Sequence, residues 1–431
     1  MLLIYIPENS GRCQYILELI FRQELGIEYR IVTDHKLFNL HREEKINYSN
    51  SRLPDSFFIN AATLLFEKRI KKQEINVTQK DQVKVLFPNE DCDLGFDIFS
   101  SVFYMVSRYE EYLPFTPDRH GRFKACDSLA FKHNFLQLPI VNIWIDLFKN
   151  NLQQKFPSLK IKPSSFNVII TYDIDVAYKF KGRNTFRTLG STAKDILKLK
   201  LKNIYQRFIT LLNIQKDPWD VYNYIQEMAL TANLKPIFFF LMADKSPNDR
   251  NLDHKNPCMK SLIKKVMKFS NIGIHPSYTS SEFPEKIAIE KERLEQICGK
   301  KIIRSRQHYL KFILPDTYRS LLAAGITEDY SMGFSEMAGF RAGTCRPFYF
   351  YDLKEEKITR LKIFPVTMME GSFMKNKTGL EQSLQEILNL INEVKRVQGT
   401  FISIWHNHTV SETLEYKAWK KIHDKMIRAI Q

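Results

Sequence analysis

The chain begins with short apolar runs separated by amphipathic stretches. Leu2 to Ile6 predicts a first strand, and Asn9 or Ser10 is placed to cap a helix that Gly26 would end. Ile27 to Val32 predicts the next strand. This order of strand, helix and strand is typical of a small α/β unit.

A stretch rich in proline and serine, residues 157–165, predicts a linker between two domains, residues 1–160 and 161–431. After it, apolar strands alternate with helical patterns, as in the predicted strands Pro236 to Met242 and Ile272 to His275 around the helix Met259 to Ser270. Alternation of this kind predicts a parallel sheet, open or closed into a barrel. In parallel sheets, functional side chains gather where the strands end.

Residues suited to metal binding and proton transfer follow four apolar runs of the second part. They are Asp173 and Asp175; His275; Arg306, His308 and Tyr309; and His406 and His408. Asp173 and Asp175 share one face of a strand, and two such carboxylates resist ionising together unless a cation or donors lie between them. The pair therefore indicates a metal, an arginine or a shared proton, with a plain strand-ending turn as the alternative.

Five segments in order resemble the motifs of the polysaccharide deacetylase domain (NodB homology, carbohydrate esterase family 4), over about residues 166–410. The segments are Thr171 to Asp175, Gly273 to Pro276, Arg306 to Tyr309, Thr327 to Ser331, and Ile404 to His406. The resemblance implies a distorted (β/α) barrel that removes acetyl groups from an N-acetylated sugar or polysaccharide precursor with a divalent metal, commonly zinc. Phe96 to Pro139 resembles an N-terminal domain that precedes such domains in some bacterial surface-polysaccharide proteins, so a smaller α/β domain is expected before the barrel.

The resemblance also implies a role for each matching residue. Asp173 matches the general base and His406 the general acid, while Arg306 matches the arginine that orients the base. Asp175 and His275 match metal ligands. A zinc ion with oxygen and nitrogen ligands keeps a position open for water and polarises a carbonyl group, which is the chemistry that amide hydrolysis needs.

The sequence departs from the family pattern at two places. Ile174 separates two aspartates that are adjacent in the family, and Thr279 stands where the family has a second histidine ligand. His308 is the predicted replacement, with Thr279 or a water as alternatives. Two other functions therefore stay open: a degenerate domain that binds an anionic glycan or a membrane-linked sugar, and a hydrolase of another linear amide.

Four residues are predicted to contact substrate: Tyr309, Asp329, Arg341 and Trp405. A backbone N–H near Tyr309 would hold the oxyanion. Arg341 lies between glycines and suits either an anionic substrate group or a buried ion pair, and Trp405 would stack on a sugar or fill the end of the barrel. His408 is expected to support the site from behind. The remaining histidines are predicted at the surface: His35, His41, His120, His133, His254 and His423.

The net charge of +16, from 64 basic and 48 acidic residues, favours anionic partners. A phosphate-linked sugar and peripheral contact with an anionic membrane fit this charge, whereas no nucleic-acid recognition motif accompanies it. The basic amphipathic segment Lys194 to Arg207 is interpreted first as a surface helix with its apolar face on the core, and second as a binding patch.

The six cysteines form no C-x-x-C pair, which argues against a zinc ribbon or a disulfide framework and favours reduced thiols. The first ten residues lack the basic and apolar regions of a signal peptide. We therefore expect a cytoplasmic location.

Overall fold

The structure is a computed structural model that describes residues 1–80 and 82–431, and its elements form a mixed α/β fold. The strands of the described chain are β1 (Leu2–Tyr5), β2 (Tyr29–Val32), β3 (Lys45–Ser49), β4 (Phe57–Asn60), β5 (Val77–Lys80), β6 (Val83–Leu86), β7 (Asn167–Ile174), β8 (Ile237–Phe240), β9 (Asn271–Ile274), β10 (Arg304–Ser305), β11 (Glu328–Asp329), β12 (Phe348–Asp352), β13 (Lys357–Ile363), β14 (Met368–Met369) and β15 (Thr400–His406).

The α-helices of the described chain are α1 (Gly11–Leu17), α2 (His35–Leu40), α3 (Ile98–Val106), α4 (Leu129–Lys132), α5 (Ile140–Lys155), α6 (Thr185–Leu197), α7 (Leu201–Leu211), α8 (Tyr222–Thr231), α9 (Pro257–Val266), α10 (Glu285–Cys298), α11 (Asp316–Ala323), α12 (Glu370–Lys375), α13 (Leu380–Arg396) and α14 (Lys417–Ile430). Among the helices described, none is both long and apolar enough to span a bilayer.

The first sheet has the order β2-β1-β3-β4, and all its neighbouring strands run parallel. The Ser10 side chain accepts a hydrogen bond from the Cys13 N–H, which caps α1 as the sequence predicts. The helix continues as a π-helix over Glu18–Leu25 and ends at Gly26, whose φ of 66° is left-handed.

The second sheet has the order β12-β13-β11-β10-β9-β8-β7-β15-β14. Its neighbours are parallel except β12 and β13, which form an antiparallel pair at one edge. The two edge strands, β12 and β14, do not pair with each other within the described residues, so the sheet is open. The predicted barrel is therefore not closed, because closure requires hydrogen bonds between the first strand and the last.

One continuous hydrophobic cluster includes buried residues from both sheets. Three ion pairs also join the N-terminal stretch to the rest of the chain. Arg12 pairs with Glu356 and Glu111 with Arg341, each at 2.6 Å between nitrogen and oxygen, and Glu24 pairs with Arg346. The division at residue 160 stays a prediction, since these contacts do not separate two independent cores.

The register of the second sheet brings distant residues to one edge. β7 lies between β15 and β8, and Asp173 is directly opposite His406 on β15. Ser305 on β10 is opposite Ile274 on β9, so His275 and Arg306 leave neighbouring strands at the same level. The carboxyl ends of five parallel strands thus converge, as expected of functional residues in such sheets.

Candidate metal and catalytic site

A cavity of about 500 Å³ opens where the strands of the second sheet end. Its floor includes Asp173, Asp175, His275, His308 and His406. Cavities of this size hold small-molecule ligands. Five of the residues that the sequence assigns to metal binding or proton transfer therefore share one chamber.

Arg306 fixes one oxygen of Asp173 and leaves the other one free. Its Nη1 donates to Asp173 Oδ1 at 2.8 Å and to Thr171 Oγ1 at 2.5 Å, and its Nε donates to the Tyr330 carbonyl at 3.0 Å. Asp173 Oδ2 makes no hydrogen bond within the described chain and lies 3.8 Å from His275 Nε2. A carboxylate oxygen that lines a cavity and has no donor is suited to accept a proton from a reactant.

Asp175, His275 and His308 bring one potential ligand atom each to a common point, with all three atoms within 4.8 Å of one another. Asp175 Oδ1 is 3.2 Å from His275 Nε2, and Asp175 Oδ2 is 3.6 Å from His308 Nε2. His308, which is predicted to replace the missing histidine ligand, thus lies beside Asp175 and His275. The alternative, Thr279, directs its hydroxyl to Ser277 and Lys286 instead.

Hydrogen bonds behind the two imidazoles decide which of their nitrogens carries a proton. His275 Nδ1 lies 2.5 Å from the Arg306 carbonyl, which only accepts, so Nδ1 is the donor. His308 Nδ1 lies 2.9 Å from Asp249 Oδ1 and likewise donates to it. In the neutral rings both Nε2 atoms therefore present lone pairs, as in the carboxylate–histidine arrangement behind many zinc ions.

Asp175 Oδ1 is a buried acceptor without a hydrogen-bond partner among the described residues. It faces the lone pair of His275 Nε2, so in the neutral state two acceptors point at each other. Either a proton or a metal cation between them removes this conflict. One carboxylate oxygen and two imidazole nitrogens are a common ligand set for zinc, and the residues present fit such an ion.

His406 lies on the other side of Asp175, with its Nε2 3.6 Å from Asp175 Oδ2. Its Nδ1 lies 2.7 Å from Glu370 Oε1, and its backbone N–H donates to the same oxygen at 2.8 Å. Glu370 is fully buried and also accepts from Thr409 Oγ1. The Nε2–H of His406 therefore points into the cavity while Glu370 holds the ring from behind.

The charges around these imidazoles shift their pKa values. Burial opposes the imidazolium form, but Asp175 and Asp249 outweigh it and raise the pKa of His308 to about 9. Burial is likewise outweighed at His406, where Glu370, Asp175 and Asp173 raise the pKa to about 10. Burial also opposes ionisation of Asp175, yet His308, His275 and His406 hold the pKa of its carboxyl well below the ordinary value.

Sequence reasoning missed the two carboxylates that support the imidazoles. Glu370 follows β14 directly, so the rule that functional residues follow strands would have selected it. Asp249 lies in the long loop between β8 and α9, where no periodic pattern marks it. The N-terminal stretch also contributes Arg119, His120 and Arg122 to the cavity wall, which no sequence motif indicated.

Of the predicted substrate contacts, Tyr309 alone lines the cavity. Asp329 is buried and accepts hydrogen bonds from Ser305 and Ser331. Arg341 is buried against Glu111, which realises the ion-pair alternative. Trp405 is fully buried on the opposite face of β15 from His406, because successive strand residues alternate in direction. Asp329, Arg341 and Trp405 therefore do not line the cavity, in contrast to the prediction that they contact substrate.

Three other histidines lie in different surroundings. His408 packs its ring 5.6 Å from that of His406, and burial together with the charge of His406 lowers its pKa to about 4. His423 was predicted at the surface but is fully buried between the hydroxyl groups of Tyr172 and Tyr224. His120, also predicted at the surface, is partly buried and lies on the cavity wall. Isolated histidines give no sequence signal that separates these environments.

Residues 2–157, less than half of the chain, match a family of unknown function (DUF7033). No curated protein matches the chain. Solved structures similar to it include polysaccharide deacetylases. A polysaccharide deacetylase candidate from Mycobacterium smegmatis is 12% identical, with 62% of this chain and 85% of that chain covered and a TM-score of 0.39.

Two further structures show the range of these neighbours. A CE4 family pseudoenzyme from Bacillus anthracis is 10% identical, with 62% of each chain covered and a TM-score of 0.32. The chitin deacetylase of the fungal pathogen Colletotrichum lindemuthianum is 12% identical, with 61% of this chain and 84% of that chain covered and a TM-score of 0.32. At these scores the likeness assigns no activity to this chain.

Proposed function

We propose that the protein is a metal-dependent hydrolase that removes the acetyl group from an N-acetylated sugar or polysaccharide precursor. The observation that carries the proposal is the convergence of Asp175, His275 and His308 on one point, with Asp173 and His406 on the same cavity floor. When bound, a divalent ion such as zinc supplies Lewis-acid polarisation of the amide carbonyl and lowers the pKa of water.

Asp173 is the proposed general base. Arg306 and the buried surroundings hold its carboxylate in one orientation, with Oδ2 directed toward the ligand cluster. A water between Asp173 and the amide carbon would pass its proton to this oxygen as it attacks.

His406 is the proposed general acid. Its Nδ1 remains bonded to Glu370, so the proton that it delivers is the one on Nε2, which faces Asp175 and the cavity. Protonation of the departing sugar nitrogen by this imidazolium breaks the C–N bond without releasing an amide anion. The raised pKa of His406 keeps the ring charged at neutral pH.

The Tyr309 backbone is the proposed oxyanion donor. Its φ of 62° is left-handed, and its N–H makes no hydrogen bond within the described residues. Arg122 donates to the Tyr309 carbonyl, which holds the turn in place. A free N–H beside the ligand cluster is suited to stabilise the negative charge that forms on the acetyl oxygen.

The proposed substrate also carries an anionic group, such as a phosphate. Arg119, Arg250 and Lys375 line the cavity and form no ion pair with a carboxylate in the described parts of the chain. Arg119 instead contacts His120, and Arg250 bonds to the Pro247 carbonyl. Arg250→Ala should raise KM for N-acetylglucosamine 1-phosphate several-fold and leave KM for N-acetylglucosamine unchanged, and equal effects on both sugars would count against the anionic group.

Metal content and acetate release test the main proposal together. The purified protein should bind one divalent ion and release acetate from N-acetylated sugars, and Asp173→Asn should keep the ion but lose turnover because only the base is removed. Asp244→Asn, at an exposed aspartate outside the cavity, serves as the matched control.

A second candidate function is a domain that binds the sugar without hydrolysing it, which the inserted Ile174 and the substituted Thr279 favour. Stoichiometric metal with no acetate released from any N-acetylated sugar would support that alternative. A protein that binds no divalent ion would contradict both forms of the proposed metal site. The cytoplasmic location remains a proposal, and the fractionation of the protein in its native cells would test it.

A further inference from the structure

Helices α6 and α7 form a hairpin inserted between β7 and β8, and its apolar side chains face solvent. Among the described side chains of residues 185–211, no apolar one is buried. Phe186 is 87% exposed, Leu197 84% and Leu201 71%. Other exposed apolar residues here are Leu189, Ile196, Leu199, Tyr205, Phe208, Leu211, Leu212 and Ile214. The interpretation of Lys194 to Arg207 as a helix with its apolar face on the core is therefore wrong.

Other amphipathic helices of the protein bury their apolar stripe. α9 buries Met259, Leu262, Ile263 and Val266, and α13 buries Ile387, Leu390, Ile391 and Val394. In α6 the residues Phe186, Leu189, Ala193 and Ile196 recur at the same helical spacing, which places them on one face. Large exposed apolar faces on soluble chains mark surfaces that contact another phase or molecule.

The inner contact of the hairpin is polar, which explains why the apolar faces point outward. Arg207 of α7 is buried and pairs with Asp195 of α6 at 2.5 Å, and it donates to Thr192 Oγ1 at 2.6 Å. The same guanidinium lies 5.2 Å from the centre of the Phe180 ring, which anchors the hairpin to the body. Specific polar contacts thus hold an inverted arrangement, with an ion pair inside the hairpin and leucines outside.

The charge of the segment indicates the partner. Residues 183–216 contain eight lysines and arginines and a single acidic residue, Asp195, which Arg207 neutralises. Lys194, Lys198, Lys200 and Lys202 are exposed beside the apolar residues. An apolar face bordered by lysines matches a bilayer surface, where the side chains enter the acyl boundary and the ammonium groups contact anionic headgroups. A symmetric contact with a second copy would instead bring like charges together.

We infer that the α6–α7 hairpin docks the protein on an anionic membrane surface. The inference is independent of the proposed deacetylation, because the hairpin contributes none of the residues that line the catalytic cavity. Sedimentation with vesicles tests it, using phosphatidylcholine vesicles with and without phosphatidylglycerol. The wild-type protein should sediment with the anionic vesicles, and binding should fall at high salt because screening weakens the lysine contacts.

The decisive variant is Phe186→Ser, Leu197→Ser and Leu201→Ser combined, which should lower the vesicle partition coefficient about tenfold or more. Its matched control is Phe131→Ser, Leu230→Ser and Leu414→Ser, which removes three exposed apolar residues elsewhere and should leave partition unchanged. Lys194→Gln, Lys198→Gln and Lys202→Gln should lower partition roughly fivefold for each lysine. All these positions are exposed, so the variants should fold, as circular dichroism would check.

Several results would overturn the inference. One is a wild-type protein that does not sediment with phosphatidylglycerol vesicles. Another is equal vesicle binding by the hairpin triple variant and its control. A third is a wild-type protein and a control variant that are dimers by light scattering while the hairpin triple variant is a monomer. The apolar face would then bind a second copy of the chain. Acetate release from soluble sugars should be the same in both triple variants.

Discussion

His308 and His406 occupy similar positions on opposite sides of Asp175, yet their surroundings suit them to different tasks. Each Nε2 lies 3.6 Å from Asp175 Oδ2, and each Nδ1 contacts a buried carboxylate, Asp249 or Glu370. His308 Nε2 also lies near His275 Nε2, which makes a three-atom ligand set. His406 has no such neighbour in the described ligand groups, and Glu370 holds both its ring and its backbone.

A second imidazole near the ring, rather than the carboxylate behind it, distinguishes the proposed ligand His308 from the proposed acid His406. Both carboxylates favour the imidazolium form in the absence of metal. Beside His275, a cation gains a second nitrogen ligand if His308 gives up its proton. Beside Asp175 alone, His406 gains nothing by losing its proton, so it keeps the charge that a general acid needs.

The largest expected difference is between the alanine variants of His406 and His308. His406→Ala should keep the divalent ion and lower kcat about 10²- to 10⁴-fold, the usual contribution of a general acid. His308→Ala should lose the ion, because a ligand is removed. Metal analysis beside acetate-release kinetics measures both, and His254→Ala, at a histidine outside the cavity, is the control. Full metal occupancy in His308→Ala would remove His308 from the ligand set.

Substitutions of Asp249 and Glu370, the carboxylates behind the two rings, should differ in the same way. Their effects on metal binding and turnover should be smaller than those of replacing the histidines. Asp249→Asn should weaken zinc binding about 10- to 100-fold, since the partner that orients a ligand is lost. Glu370→Gln should leave zinc binding nearly unchanged and shift the alkaline limb of the kcat/KM profile to lower pH, because the imidazolium of His406 loses its counter-charge. Identical effects of the two substitutions on metal affinity would contradict the assignment of His308 as a ligand and His406 as an acid.

Metal affinity should depend on pH through His308. Its pKa in the metal-free protein is about 9, so an ion must displace a proton at neutral pH. Below that pKa, this residue should weaken zinc binding by up to about tenfold for each pH unit. Calorimetry in buffers of different ionisation enthalpy would count the released protons, and binding without proton release would show that His308 is already neutral.

The smallest expected effect concerns Glu290, a buried carboxyl whose charge would be repelled by that of Asp249. Burial raises the pKa of Glu290 to about 7, although the Ser277 N–H donates to it. Since the folded pKa exceeds the unfolded one, the contribution is full below about pH 4.5 and is lost as pH rises toward 7. The free energy of unfolding should fall by about 1 kcal/mol per pH unit in this window.

Denaturant titrations across pH 4.5–7 check the Glu290 prediction. Glu290→Gln should flatten the pH dependence, because its side chain keeps an acceptor for the Ser277 N–H but no longer titrates. Glu292→Gln, at an exposed carboxylate on the same helix, is the matched control. An unchanged slope in Glu290→Gln would mean that another group controls stability in this range.

Much of the fold and of the cavity floor can be predicted from neighbouring residues in the sequence. The apolar run before Asp173 predicts a strand, and β7 extends over that run. The same rule places His275, Arg306 and His406 at strand ends, since alternation and strand length are set by neighbouring residues. His308 likewise reaches the cluster because it follows a short strand at the same edge of the sheet as His275.

Which distant groups meet depends on how the elements pack. Asp249 supports His308 from 59 residues away, and Arg341 turns from the cavity to pair with Glu111, 230 residues earlier in the chain. The exposed face of α6–α7 shows the same limit, because periodicity predicts that a helix has an apolar stripe but not what covers it. Contacts of this kind depend on how elements pack, and packing is a property of the whole chain.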